Sequence, residues 1–523
     1  MKGLLCGAIA ILAMTQAACG GSSITPPPPT GPFSDASLKG QYAFSMSGVD
    51  LNGAYIARIG SFTADGSGNI TGGLEDILTL SSGQPASIVS FTGGTYQVLS
   101  NGRGLIVLNA ASGGGLQLNM MMQSTSTGFL LQTDLAASST GTFNKQTNAD
   151  FTAAALGNPY VFEVSGVSFS SQTAAPIGMI GKIIGDGNGV ITGGVMDTND
   201  GHTTTPSGAT AIAPGAYAMD TSGNGTSFGR GTMSFNGRSY AFYIVDTTHF
   251  KMLEEDELGG TSGDALQQVG PVPTQNSQFN GSFVYLISGA SVLGTQGPVA
   301  RVARFTTDGN GGLGSISFDD NNDGGYTHIS QGSNISAASY AIDTGNSGSG
   351  RGTYTFKASG EGTFSDVFYM ISPGQAMVQE TSKGIIGNGP MYAQAAGPFT
   401  VSGSAGNYVT IWDGVQLGSS TAVPYEEDFV GQYALTNTAS SNLAGVIDYV
   451  ELGLSSKTLY TNVGLGGTLT INNQSTANNH YRFALSGSPS ITVNFQAYFV
   501  NPGTILMVCS DNTRTTAGII YPQ

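Results

Sequence analysis

The chain has 523 residues, a formal charge of −16, only 10% charged residues and 79 glycines. Its 17 Lys and Arg are scattered, which excludes a nucleic-acid binder, because phosphate recognition needs clustered basic side chains. Twenty-one tyrosines and 25 phenylalanines exclude a disordered chain and point to packed sheets.

Residues 1–18 read as a signal peptide: Lys2 supplies the positive charge and Leu4 to Met14 the apolar stretch, too short to span a bilayer. The run Ala17-Ala18-Cys19 resembles the lipobox of bacterial lipoproteins. That resemblance implies acylation of Cys19 and attachment to an outer membrane or cell surface through an N-terminal lipid. Gln16 stands where the lipobox prefers Leu, so cleavage after Ala17 and secretion is the alternative. Residues 19–36 form a tether, Gly20-Gly21-Ser22-Ser23 followed by Pro26 to Pro29 and Pro32. Cys6 leaves with the signal, and Cys509 reads as a small apolar strand residue without a disulfide partner.

Four repeats follow, over 37–147, 148–272, 273–395 and a diverged 396–523. Each opens with an aromatic residue and a glycine six positions later: Tyr42/Gly48, Tyr160/Gly166, Phe283/Gly289 and Tyr408/Gly414. Alternation such as Tyr42, Phe44, Met46 predicts a strand with one buried face. The next element carries Asp-Gly between apolar runs, at Asp65, Asp186 and Asp308, a strong hairpin signal. In repeat four Thr438 takes that place. A third element pairs Tyr96, Tyr217, Tyr340 and Tyr460 with Gly-Arg-Gly turns at Arg103, Arg230 and Arg351; repeat four has Leu465-Gly466 instead. Each repeat closes on a glutamine: Gln146, Gln268, Gln394, Gln523.

About eight short strands per repeat, joined by tight turns, predict an all-β fold: four tandem antiparallel units, each an up-and-down barrel of lipocalin or avidin architecture, or a flattened sandwich. A propeller fits less well, since its blades repeat at ~40–50 residues. The Cys-Gly-Gly start, the Pro tether and the G-x-Y-x-F, F-T-x-D-G-x-G-x-I-T-G-G and G-R-G-T motifs together resemble the secreted tandem-repeat lipoproteins of Acidobacteria. This resemblance covers nearly all of the mature chain. It implies export and repetition, and it brings no assigned activity and no site residue.

The acidic runs Asp197-Thr198-Asn199-Asp200-Gly201 and Asp319-Asp320-Asn321-Asn322-Asp323-Gly324 resemble the start of a calcium loop. Asp197, Asn199, Asp319, Asn321 and Asp323 are therefore candidate Ca2+ ligands, although Ser330 stands where a bidentate Glu belongs; solvated Asx turns are the alternative. No other cofactor is implied. Gly225 to Gly229 matches a nucleophile elbow but lies in a hairpin, so no catalytic residue is assigned. His202, His249, His328 and His480 lack metal-ligand spacing. The three arginines read as braces that pair with acids. Glu254-Glu255-Asp256 and Glu426-Glu427-Asp428 offer carboxylate pairs of the kind glycosidases use. Met120 to Met122 and Trp412 read as core, with a sugar platform as the alternative for Trp412 beside Asp413.

Because the repeated residues are scaffold, the favoured function is a non-catalytic envelope protein. It presents tandem β-domains for binding or adhesion, with a surface glycan or protein as partner. The alternatives are small-ligand binding inside the barrels and an envelope hydrolase in one diverged repeat.

Overall fold

The computed structural model describes residues 31–80, 86–170, 173–203, 206–221, 225–293, 296–330, 334–400, 402–418, 425–436, 441–453, 456–471, 480–487 and 492–523. The signal peptide, Cys19, most of the tether and Thr438 lie outside them.

Repeat one runs β1 (Lys39–Asp50), β2 (Tyr55–Asp65), β3 (Asn69–Thr79), β4 (Ser87–Val98), β5 (Arg103–Ala110), β6 (Gly115–Met122), β7 (Thr127–Gln132) and β8 (Ala137–Lys145). Each pairs antiparallel with the next, and β8 returns to β1, so the sheet closes. Repeat two contains β9 (Pro159–Ser170), β10 (Thr173–Gly185), β11 (Val190–Asp200), β12 (Ser207–Ile212), β13 (Gly215–Met219), β14 (Arg230–Phe235), β15 (Arg238–Asp246), β16 (His249–Glu254) and β17 (Gly259–Gln267). Here the fourth strand is split into β12 and β13, both on β11, and the circuit still closes. Repeat three contains β18 (Asn280–Ser291), β19 (Gly297–Asp308), β20 (Leu313–Asn322), β21 (Gly325–Ser330), β22 (Ile335–Ile342), β23 (Arg351–Ala358), β24 (Gly362–Ser372), β25 (Gln375–Glu380) and β26 (Ile385–Ala393). Its fourth strand is split likewise, and one bridge, Gly312 to Ser339, joins the ends. Repeat four is a closed barrel of β27 (Gly406–Gln416), β28 (Tyr425–Leu435), β29 (Ser441–Gly453), β30 (Ser456–Ile471), β31 (His480–Gly487), β32 (Thr492–Asn501), β33 (Thr504–Cys509) and β34 (Arg514–Pro522). The fold is all-β, with four antiparallel barrel-like units in tandem.

Alternation in the opening strand points Tyr42, Phe44 and Met46 inward onto Phe62, Leu118 and Phe143. The Asp-Gly turns form as the residue types require. Asp65 Oδ1 accepts the amides of Ser67 (2.6 Å) and Asn69 (3.1 Å), and Gly66 takes φ +83°. A short 3-10 turn plugs one mouth of each barrel: Asp35–Ser37, Ala153–Leu156, Asn276–Gln278 and Ser402–Ser404. The repeated tyrosines hold three of these plugs. Tyr96 donates to Leu38 O (2.9 Å), Tyr217 to Ala153 O (3.2 Å) and Tyr340 to Phe279 O (2.9 Å).

The outward faces are buried too. Ala43, Ile59 and Leu74 of barrel one pack on Ala241, Val245 and Leu253 of barrel two. Val161, Ile180 and Val195 of barrel two meet Val367, Ile371 and Met377 of barrel three. Val284, Leu286 and Val302 of barrel three meet Val500, Leu506 and Val508 of barrel four. Val409, Val430 and Val450 of barrel four meet Met121, Phe129 and Leu131 of barrel one. Four seams thus join four barrels head to tail into a closed ring. The array is one body rather than beads on a string.

Candidate functional site

The repeated polar residues sit at the seams. Arg230 reaches Asp76 of barrel one with Nε (2.8 Å) and Nη2 (2.7 Å), and Tyr243 Oη adds a bond of 2.8 Å. Arg351 repeats this on Asp197 of barrel two (2.8 and 2.7 Å), with Tyr369 Oη at 2.6 Å. Arg103 reaches back to Asp448 of barrel four at 2.5 Å, closing the series. The arginines therefore pair with acids, as their turn position suggested. Barrel four lacks the arginine, and Asp319 of barrel three receives Tyr498 Oη (2.7 Å), His328 Nδ1 (3.0 Å) and Tyr326 instead. Its carboxylate raises the His328 pKa by hydrogen bonding.

The closing glutamines are the second lock. The amide of Gln146 donates to Ile244 O (2.6 Å), that of Gln268 to Met370 O (2.7 Å), and that of Gln394 to Phe499 O (2.7 Å). Gln523 donates to Asn101 O (2.9 Å) and Met122 O (2.8 Å) of barrel one.

Four of the five candidate calcium ligands belong to these seams, and Asp323 alone lies in a turn. Asp197 and Asn199 lie in β11, and Asp319 and Asn321 in β20, all nearly inaccessible. Asn199 Nδ2 donates to Glu380 O and Ile385 O, both 2.7 Å, across the second seam. Asn321 Nδ2 donates to Cys509 O (2.8 Å) and Arg514 O (2.9 Å) across the third. Asp323 takes the positive φ of the β20–β21 turn. The reason is apolar burial on both faces, which keeps these runs extended, and an extended strand sends neighbouring side chains to opposite faces. Among the described residues no three His, Cys, Asp or Glu side chains group to hold a metal ion.

Other candidates fall into place. Trp412 is 1% exposed and packs on Phe495 at 4.8 Å between ring centres, so it is core. Met120 and Met122 point into barrel one, while Met121 points into the fourth seam. Gly225–Phe228 is a 3-10 turn, and Ser227 uses its carbonyl to accept from Gln41. Glu254 pairs with Arg238, and Glu255 with Arg230 (2.7 Å). His249 Nε2 lies 2.6 Å from Asp264, and His202 Nε2 lies 3.2 Å from Ser168 O. The side chain of His480 is outside the described residues. Cys509 is a free, buried thiol, and burial pushes its pKa up.

Among the described residues the barrel interiors show no open calyx, because Tyr42, Phe44, Tyr160, Phe162, Tyr285 and Trp412 fill them with almost no exposure. A gap in barrel two beside Tyr160 and Met233 measures about 10 Å³, room for one water at most.

Space exists on the ring axis instead. A chamber of about 590 Å³ is lined by all four opening strands at Gly48, Gly166, Gly289 and Gly414. These are the repeated glycines. A Cβ on Gly48 would lie 2.0 Å from Ser138 O, and one on Gly289 2.0 Å from Ile386 O. The missing side chain lets each opening strand lie close against its neighbour where it reaches the axis. Apolar walls come from Val49, Ile177, Val299 and Ile386. The polar lining includes neutral groups such as Thr140, Ser288 and Asn388, and its charged members are acids: Glu163 of barrel two, and Asp413, Glu426 and Asp428 of barrel four.

Alternation along β28 puts Glu426 and Asp428 on the chamber side and turns Glu427 inward, where Arg514 meets it at 3.0 Å. Asp413 stands opposite Asp428 in the β27–β28 register. Asp413 is exposed to solvent within the chamber, while the protein mass packed around it pushes its pKa up to about 6. Burial likewise lifts Asp428 to about 7, against the hydrogen bond from Ser138. Burial, with the charge of Asp264, lifts Glu163 to about 8. Glu426 is raised by burial and by Asp428 and Asp413 beside it. The sequence reading missed Glu163 and passed over Asp413. The available signal was Asp413 itself, which precedes the repeated glycine where Ser47, Ser165 and Ser288 stand in the other repeats.

No family model matches the chain, and no curated protein matches it. Among solved structures it is similar to transferrin binding protein B from serogroup B Neisseria meningitidis, at 7% identity and TM-score 0.21 over 75% of this chain and 82% of that one. A transferrin binding protein B from Haemophilus parasuis Hp5 gives 10% identity and TM-score 0.21 over 76% and 83%. Superposition at this level does not equate the architectures. No helix among the described residues is long and apolar enough to cross a membrane.

Proposed function

We propose that this is an exported, non-catalytic binding protein of the cell envelope, held off the membrane by a lipid on Cys19 and the Pro-rich tether. This is the arrangement of the secreted repeat lipoproteins it resembles. The four barrels act as one frame, and the axial chamber is the recognition site. The observation that carries this is the convergence of the four repeated glycines on one cavity. Its volume suits a small ligand or the end of a glycan or peptide chain. Repetition then serves to build a single enclosed site rather than to multiply weak ones.

The test is a binding screen of the mature protein against glycans, peptides and small soluble ligands, repeated on Ser288→Trp, which places an indole in the chamber. Ligands lost on filling support the reading; ligands retained place recognition on the outer surface.

A second reading, a hydrolase in the diverged repeat, draws on Asp413 and Asp428. A carboxyl held neutral near pH 7 beside an ionised one is the pair that glycoside hydrolysis uses. Product release from a glycan in the same screen, abolished by Asp428→Asn, would support it.

A further inference from the structure

Barrels two and four share no seam, so they face each other across the axis. Glu163 therefore stands across the chamber from Asp413, Glu426 and Asp428. The lining contains no Lys, Arg or His. Of the nearby cations, Arg514 turns to Glu427 and Lys251 to Asp264, while Lys457 hydrogen-bonds Gln132 O at 3.0 Å and acts on Asp428 through its charge alone. Four acids thus share a cavity whose lining, among the described residues, holds no cationic side chain.

Two buried polar groups at this lining lack hydrogen-bond partners. Asn388 of barrel three is 6% exposed, lines the chamber, and its Nδ2 is unpaired. Asp428 is 0% exposed and its Oδ1 is unpaired. A buried polar atom left without a partner costs about 1–3 kcal/mol, more when charged, so a ligand group that reached these two atoms would recover that cost. The Asn388 amide, unrestrained at nitrogen, can offer either an acceptor or a donor to that ligand.

We propose that the chamber binds a small organic dication, an aliphatic diamine or polyamine, with one ammonium against the acids of barrel four and another against Glu163. The proposal rests on the reading of the chamber as the recognition site. Carboxyls on opposite walls, with apolar Val49, Ile177, Val299 and Ile386 between them, match two ammonium groups on a hydrocarbon spacer, whose charge favours the ionised carboxylates. A single metal ion matches them poorly, because it needs its oxygens gathered within about 2.3–2.6 Å of one point. Ammonium donors also make charge-assisted hydrogen bonds to carboxylates, the stronger class of such bonds.

The test is calorimetric titration of the mature protein with 1,5-diaminopentane, butylamine, pentane-1,5-diol and Ca2+. The proposal expects the diamine to bind at least tenfold more tightly than butylamine, with no heat from the diol or from Ca2+. Glu163→Gln and Asp413→Asn should each weaken diamine binding at least tenfold while melting as the parent does. Ser288→Trp should abolish it. If the diol binds as well as the diamine and Ser288→Trp removes both, the charge class is wrong and the chamber reading stands. If Ca2+ outcompetes the diamine, the organic dication is overturned. If no amine binds and no ligand from the wider screen senses Ser288→Trp, both readings fall.

Discussion

Arg230 and Asp76 meet across the first seam in a two-pronged pair, with Nε–Oδ2 at 2.8 Å and Nη2–Oδ1 at 2.7 Å, and Asp76 fully buried. Planar guanidinium on carboxylate is the geometry in which an ion pair fixes orientation as well as distance. Because the same two-pronged pair recurs at Arg351–Asp197, and Arg103 reaches Asp448 through Nη2 alone, a turn motif repeated along the chain joins three of the four barrels to the one before.

Arg230→Met should destabilise the protein by about 3–5 kcal/mol, since it leaves the Asp76 carboxylate buried without its cation and with only the Tyr243 hydroxyl to satisfy it. Arg230→Met combined with Asp76→Leu should recover most of that loss. Asp220 and Glu255 also touch Arg230, but their side chains are 25% and 21% exposed and can turn to water. Urea unfolding of both variants checks this.

Gln523→Ala should loosen the fourth seam. It removes two bonds to carbonyls of barrel one, which hydrogen-bond energetics put at about 1–3 kcal/mol in all where the groups stay buried. Hydrogen exchange should rise first at Met122, whose backbone borders that seam, before it rises elsewhere in barrel one.

Gly289→Ala should destabilise more than an ordinary surface change. Its Cβ would lie 2.0 Å from Ile386 O and 2.6 Å from the Gly387 Cα, both backbone. The strands must separate at the axis, a strain of about 1–3 kcal/mol or more. Gly208→Ala, where a Cβ meets nothing within 4 Å, is the control. Thermal melting separates the two.

Stability should fall as pH rises from about 4 to about 8. The chamber carboxyls have folded pKa values raised above their ordinary ones, to about 6 for Asp413, about 7 for Asp428 and about 8 for Glu163. A raised acid stabilises fully below its unfolded pKa, and that contribution is lost as pH climbs through the folded value. His328, also raised, adds stability below its ordinary range that is lost above it, in the same direction. Asp428→Asn together with Glu163→Gln should shrink the fall in melting temperature between pH 5 and 8, read by calorimetry, with Asp413, Glu254, Glu255 and Glu427, also raised by burial, carrying the rest.

The barrels were legible because a strand buried on its inner face alternates, and Tyr42, Phe44, Met46 do so plainly. The hairpins were legible because Asp65 with Gly66 carries its turn chemistry locally. The ring was not. Its seams are made by residues such as Ala43, Ile59 and Val161, which a local pattern cannot assign to one neighbour or another. Gln146 and Arg230 stood out as repeated, yet their acceptors, Ile244 O and Asp76, lie 98 and 154 residues away in sequence. Asp197 and Asp319 resembled ion ligands for the same reason: their spacing is visible along the chain, and the arginine and tyrosines that occupy them come from the next barrel.

Small-angle X-ray scattering of the mature chain tests the central claim most directly. Four barrels locked at four seams should scatter as a single body with a radius of gyration near the roughly 23 Å expected for a compact chain of this length. That value should hold in high salt, because apolar seams join the barrels alongside the ion pairs. A much larger, salt-sensitive radius, with the separate maxima of barrels strung on linkers, would contradict the closed ring and remove its axial chamber.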